Sequence, residues 1–299
     1  MPTTEQFKID RKIIANMTTE GWQTIPHACF EVELDVTLLL GILKEVNSGR
    51  TPAEAITFNT AMVKIITEAM KKSPRMNSHL SFSNLFVQGK LTTFEHINVT
   101  MPVIIDRGVM TTLNVKNVDE LSMTGIRDSL NEMIRRASNT HLPTVMYEVG
   151  IHDTMVKLRH LHVIKALGRL IGATLDGTRK RSLHGEEKRK YKAIPETERL
   201  TWKDLEQGTV TISNPGMLIK RWKSKCTLLD IIPPQVTAVA INRVDEKPVA
   251  DKDGNIKVAS TSTITVAFDH RALDGADFIA FTREIDTIMG SEERLRALV

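Results

Sequence analysis

Apolar residues recur along this chain at two different periods, and the change from one period to the other marks its elements. Phe30, Val32, Leu34 and Val36 fall at every second position with Glu31, Glu33 and Asp35 between them, the pattern of a half-buried strand. A period near 3.6 predicts helices over 11–21, from about Val36 to Val46, and from Leu121 to Ala137. Another runs from Thr57 to Lys72, with Phe58, Met62, Ile65, Ile66 and Met70 on one stripe, and stops at Ser73-Pro74, where a proline cannot continue it. Two strands are expected, around Leu85–Val87 and Ile97–Ile105. Between Thr140 and Gln207 the apolar residues Leu158, Leu161, Ile164, Leu167, Leu170 and Ile171 alternate with Arg159, His160, His162, Lys165 and Arg169, which predicts a basic amphipathic helix. The tract that follows, 178–192, is so charged that it reads as an exposed loop or flexible segment. The last third is rich in β-branched residues over 209–213, 237–244 and 261–267, with a turn at Asp251–Gly254, and a final helix is expected over Gly275–Met289. Strands and helices that mix without regular βαβ alternation point to an α+β organisation around one large sheet. There is no internal repeat.

Composition narrows the class. The 299 residues are 41% apolar and 25% charged, an ordinary globular balance that excludes disorder and collagen; the length allows one large domain or two small ones. Cys29 and Cys226 form no CxxC, so a reducing, cytoplasmic setting is expected, with Cys29 a core residue of its strand rather than a nucleophile. No apolar run reaches the roughly 18 residues of a membrane span, and the N-terminus lacks a signal-peptide core. A formal charge of +4 is too mild to imply a nucleic-acid partner. It is unevenly placed, however: Lys157 to Lys192 holds eleven basic residues against three acidic ones, so the rest of the chain is net acidic. His152, His160 and His162 have no carboxylate or cysteine to complete a ligand set, and no metal is expected.

The sharpest chemical signal is TITVAFDHRALDGADFIAF, residues 263–281. A strand delivers His270 into a turn, Asp274-Gly275 follows, and a helix begins at once. An imidazole at the mouth of a strand suits a general base, since its ordinary pKa lies near operating pH. The same residues also read as a turn histidine and an N-cap aspartate.

His270-Arg271-Ala272-Leu273-Asp274-Gly275 resembles the HxxxDG motif shared by the acyltransferase (E2) catalytic domains of 2-oxoacid dehydrogenase complexes and by chloramphenicol acetyltransferases. Other blocks resemble the E2 domain in the same order: Arg11-Lys12 through Ile25-Pro26-His27 and Glu33–Val36; Thr57-Phe58-Asn59 with Lys64, then Pro74–Ser78; Gly208–Gly216; and Ile231–Val236. The resemblance implies a chloramphenicol acetyltransferase-like fold, a mixed-sheet sandwich with flanking helices in one large domain over 1–299. It implies an acyl group moved between coenzyme A and a thiol of the dihydrolipoamide type, with His270 as base, Ser213 stabilising the oxyanion, and Asp274 in a structural ion pair with Arg11. It also implies a homotrimer, its sites shared between neighbouring chains, and a larger shell in which the apolar tail Leu295–Val299 takes part.

The chain departs from that pattern in four places. The catalytic block starts at about residue 10, so no lipoyl or subunit-binding domain is expected, and lipoamide would come only in trans. The channel block is Arg107–Leu113, without the family's proline. The asparagine of IINPPQ is missing and Lys220–Lys225 is unusually basic. A basic insertion occupies about 140–190. It reads, in decreasing order, as a packed helix with a solvated loop, as a docking surface for an acidic carrier or lipoyl protein, or as a helix lying on a membrane surface. Two other functions stay open: a stand-alone O- or N-acyltransferase using coenzyme A or a carrier protein, and a structural core subunit. His27 is expected to open its strand rather than to act.

Overall fold

The computed structural model of this protein describes residues 2–4, 7, 9–105, 109–159, 183–218, 224–250 and 253–299. They form two compact units. The larger comprises Met17–Pro102, Val115–Asn131 and Gly208–Val299; the smaller comprises Met1–Asn16, Val103–Asn114 and Glu132–Gln207.

In chain order the elements are α1 (Ile9–Thr24), β1 (His27–Asp35), α2 (Thr37–Val46), α3 (Phe58–Met70), β2 (Ser78–Ser83), β3 (Gln88–Thr93), β4 (Val99–Ile105), β5 (Val109–Val115), α4 (Met123–Ser138) and α5 (Leu142–Arg159). Further along the chain come α6 (Gly185–Ala193), α7 (Trp202–Leu205), β6 (Val210–Ser213), α8 (Pro215–Leu218), β7 (Thr237–Ala250), β8 (Ile256–Asp269), α9 (Gly275–Met289) and α10 (Glu292–Arg296).

The sheet of the larger unit is mixed, in the order β1-β8-β7-β6-β4. β8 runs antiparallel to both β1 and β7, whereas β6 is parallel to β7 and to β4. Its centre is apolar on both faces: Ala238, Val239, Ala240 and Ile241 of β7 and Ile264, Val266 and Ala267 of β8 are all fully buried, as a strand covered on both sides must be. α3 is buried along most of its length, at Ala61, Met62, Val63, Ile65, Ile66, Ala69 and Met70. Thr57 caps it by accepting from Thr60 N (3.1 Å). α9 packs against α3, with Phe281 and Ile285 buried. The final residues dock on their own chain, since Met123 N and Thr124 N donate to Leu298 O (2.9 Å) and Val299 O (3.3 Å).

In the smaller unit the outer part of β4 neighbours β5, and the helical part is tied by Arg136. Its guanidinium reaches Asp204 (2.9 and 3.1 Å) and the Arg199 carbonyl (2.6 Å). His152 stacks on Trp202 with ring centroids 4.2 Å apart. Tyr191 is buried beneath Arg199.

Three expectations are corrected. Leu85–Val87 is not a strand but the exposed tip of the β2–β3 hairpin, with Val87 at φ 49°. Residues 185–193 of the charged tract are helical, and a helix already begins at Leu142. The expected amphipathic helix, read from Leu158 to Ile171, lies mostly outside the described residues, as do His160, His162, Lys220–Lys223 and Arg107-Gly108 of the channel block.

Candidate active site

β8 carries the chain through the buried sheet and releases it at Asp269, beside the start of β1. His27 pairs with Asp269 across the strands, and His270 N donates to Pro26 O (3.0 Å). The turn is built by Asp269, which is buried. It accepts from Arg271 N (3.0 Å) and holds the Arg271 guanidinium at 2.6 to 3.2 Å. A buried carboxylate paired in this bidentate way is held tightly, so the residue before the histidine and the residue after it are locked together. Arg271 also lies over the Phe82 ring, 5.5 Å from its centroid.

Within that turn the His270 side chain is exposed, with its Nδ1 3.1 Å from Leu273 O. A carbonyl only accepts, so Nδ1 carries the proton and Nε2 presents its lone pair outward. Phe268 meets the imidazole edge-on, with centroids 5.9 Å apart.

Asp274 serves the same turn from the other side. Its carboxylate accepts from Ala276 N (2.8 Å), and Asp277 reaches back to Asp274 N (3.3 Å), a reciprocal capping box that starts α9. The cation found here is Arg75, which sequence reasoning placed only in a resembling block. Its Nη2 donates to Ala272 O (2.5 Å), and its Nη1 lies 3.5 Å from Asp277. Arg75 thus braces the peptide that lies between His270 and its carbonyl partner. Arg11 lies on α1 with an exposed side chain.

Ser213 ends β6, half-buried, and the chain then turns into α8. Gly216 makes that turn close: a Cβ there would stand 2.5 Å from Arg243 N and 2.6 Å from Asn242 C. β6 is anchored at its other end by Gln235, which accepts from Thr211 Oγ1 (2.6 Å) and donates to Gly208 O (2.8 Å).

The register separates Ser213 from His270. Ser213 pairs with Ala240, and Ala240 with Thr265, five residues before His270. At about 3.3 Å per residue and about 4.8 Å per strand, the two lie about 16 Å apart along the sheet and about 10 Å across it. Within one chain they do not meet.

His27 opens β1, as expected. Its Nε2 accepts from Ile231 N (3.1 Å) and its Nδ1 bonds Ile25 O (2.9 Å), so both ring nitrogens are committed. Cys29 donates to Thr227 O (3.2 Å), and burial pushes its thiol above the ordinary range, away from thiolate chemistry.

Comparison with known proteins bears on this arrangement. The model of the 2-oxoacid dehydrogenases acyltransferase family (catalytic domain) matches residues 2–148 and 186–296. The acetyltransferase component (dihydrolipoyllysine-residue acetyltransferase) of the pyruvate dehydrogenase complex of Zymomonas mobilis is 25% identical over 91% of this chain and 46% of its own length. The chain thus spans about half the length of the curated relatives it matches. Among solved structures, the dihydrolipoamide acetyltransferase of Azotobacter vinelandii superposes with a TM-score of 0.67 at 15% identity, over 99% of this chain and 94% of that one. A truncated catalytic core of the 2-oxoacid dehydrogenase multienzyme complex from Thermoplasma acidophilum gives a TM-score of 0.61 at 17% identity, over 97% and 99% of the two chains. These two likenesses establish a shared α+β fold. With the family match extending over both ends of the sequence, the chain belongs to the catalytic-domain family of 2-oxoacid dehydrogenase acyltransferases.

Proposed function

We propose that this protein is an acyltransferase that moves an acyl group between coenzyme A and a thiol acceptor of the dihydrolipoamide type. The observation that carries the reading is the placement of His270 Nδ1 3.1 Å from Leu273 O, which makes Nε2 the basic nitrogen. Nε2 takes the proton of the incoming thiol as its sulfur attacks the carbonyl carbon of the acyl thioester. The carbonyl becomes an oxyanion, and the Ser213 hydroxyl donates to it. When the tetrahedral intermediate collapses, the C–S bond to the leaving thiol breaks and that sulfur recovers the proton from Nε2. No acyl group is attached to the protein at any stage.

Ser213 reaches this centre from a neighbouring copy. The separation of the two residues within one chain supports a site shared across an interface, and a homotrimer, extended into a shell, is the assembly we assign to it. The chain works as one acyltransferase domain over 1–299, and the break in the family match between 148 and 186 supports a basic insertion. Its surplus of positive charge suits an acidic carrier or lipoyl protein. Among the described residues no helix is long and apolar enough to cross a membrane. Asp274 has a second role in this reading, an ion pair with Arg11 that holds the histidine turn.

The test is a panel of acyl-CoA donors with dihydrolipoamide, carrier-protein, alcohol and amine acceptors, following release of free coenzyme A. Turnover with dihydrolipoamide that falls by about 10²–10⁴ in His270→Ala is the expected result. Equal rates for wild type and variant with every pair would overturn the proposal. Turnover with only an alcohol or amine would move the chain to an O- or N-acyltransferase.

A further inference from the structure

Two segments of the larger unit run side by side, 95–98 and 116–120. They are stitched by Val118 N to Ile97 O (2.9 Å), Asn117 N to Asn98 Oδ1 (2.9 Å) and Ile97 N to Asp119 Oδ1 (2.8 Å). Three side chains converge on one point at this seam. His96 Nδ1 lies 3.3 Å from Asp119 Oδ2 and 3.5 Å from Glu120 Oε1, and one ligand atom of each residue lies within 4.8 Å of the others. Ligands in a tetrahedral shell with bonds of about 2.0–2.1 Å stand about 3.3–3.4 Å apart. Both edges at the imidazole fall near that value.

The carboxylates are also oriented from outside the cluster. The Ile97 N–H holds Oδ1 of Asp119 and leaves Oδ2 toward the imidazole. Asn117 Nδ2 donates to Oε2 of Glu120 (3.3 Å) and leaves Oε1. Donors that fix one carboxylate oxygen and free the other are the usual outer support of a metal ligand. Lys64 and Lys71 donate to the Asp119 carbonyl (3.0 and 2.9 Å), and both pair with Glu68 (2.6 and 2.8 Å). With Glu95 next to His96, acidic groups outnumber ammonium groups at the seam.

We propose that His96, Asp119 and Glu120 form a binding site for a divalent first-row transition metal, with its remaining positions open to water. One imidazole and two carboxylates suit zinc, manganese or ferrous ion. The imidazole weighs against calcium and magnesium, and the lack of a sulfur ligand weighs against cuprous ion. Such an ion clamps the segment before β4 to the segment after β5. The site shares no residue with the proposed acyl-transfer chemistry, so the two stand or fall independently.

Zinc is the probe. Untagged, chelator-stripped protein is titrated against a fluorescent zinc indicator, with cobalt substitution read in the visible spectrum. Wild type is expected to take up one equivalent, with binding at least tenfold weaker in both His96→Gln and Glu120→Gln. Zinc is expected to raise the melting temperature of wild type but not of either variant. Both side chains are substantially exposed, 41% and 57%, so the substitutions leave the fold intact. His270→Gln is expected to bind zinc like wild type. If the two seam variants bind as wild type does, or if zinc binding is lost in His270→Gln instead, the trio is an ordinary surface ion pair and the proposal is overturned.

Discussion

The carbonyl of Leu273 decides which nitrogen of His270 is basic, and a single guanidinium holds the peptide beside it. Because Arg75 donates to Ala272 O, removing it leaves the imidazole intact but frees the turn that aims it. Small misplacements of a reacting group are costly. Arg75→Met is expected to lower kcat on the order of tenfold with little change in KM, with Arg75→Lys restoring part of the loss; steady-state kinetics on the acyl-CoA assay decide it. Gly216 matters for a steric reason. A methyl group at that position meets Arg243 and Asn242 backbone atoms inside contact distance, so Gly216→Ala is expected to cost about 1–3 kcal/mol, read as a lower urea midpoint. His79 sets a pH dependence. Burial holds its imidazole below the ordinary value of 6.5, although its bond to Gly208 O works the other way. The unfolded chain therefore takes up a proton first as pH falls, so this contribution to stability is full above about 6.5 and is lost below it. Urea midpoints at neutral and mildly acidic pH are expected to differ less in His79→Gln than in wild type.

At the scale of elements, α9 is the clearest case of local code. Asp274 and Asp277 exchange bonds with the first turn, and the helix spans the residues read from sequence, Gly275–Met289. Asp274→Ala is expected to cost about 1 kcal/mol through the lost cap, whereas Asp274→Asn keeps the cap and the stability. If Asp274 also pairs with Arg11, Asp274→Asn loses activity at full stability; melting and turnover measured together separate the two roles. Legibility elsewhere followed the same logic. α3 was visible because its apolar stripe and its proline stop agree with its burial. Leu85–Val87 misled because an apolar triplet normally means a strand, yet here the pairing of Ser83 with Gln88 leaves these residues in the turn. α6 was missed because its support is polar, a Glu186–Lys190 pair at 2.9 Å and one buried tyrosine, which periodicity of apolar residues does not register. At the candidate site, His270 stands out in the HxxxDG motif and Ser213 in the Gly208–Gly216 block, but Arg75, the Asp269–Arg271 fork and the Pro26 carbonyl come from parts of the chain that only the fold brings together.

At the scale of the whole molecule, the sheet that presents both side chains of the proposed mechanism also keeps them apart. β6, β7 and β8 place Ser213 level with Thr265, and no rotamer of serine or histidine spans the remaining distance to His270. A base and an oxyanion donor serving one carbonyl must lie within a few ångströms of it, so the proposed mechanism requires a second chain. That requirement makes an unusual prediction about inactive variants. His270→Ala and Ser213→Ala each lack one half of every site in a homotrimer. When the two are co-expressed at equal levels, a chain with an intact histidine sits beside a chain with an intact serine at about a quarter of the interfaces. Activity is therefore expected to return to about a quarter of wild type, and only in fractions that light scattering identifies as trimers or larger. A site completed within one chain gives no such recovery, because every chain in the mixture is missing one of the two groups. A mixture no more active than its parents, or a wild-type protein that turns over as a stable monomer, would show that the two residues do not cooperate across an interface.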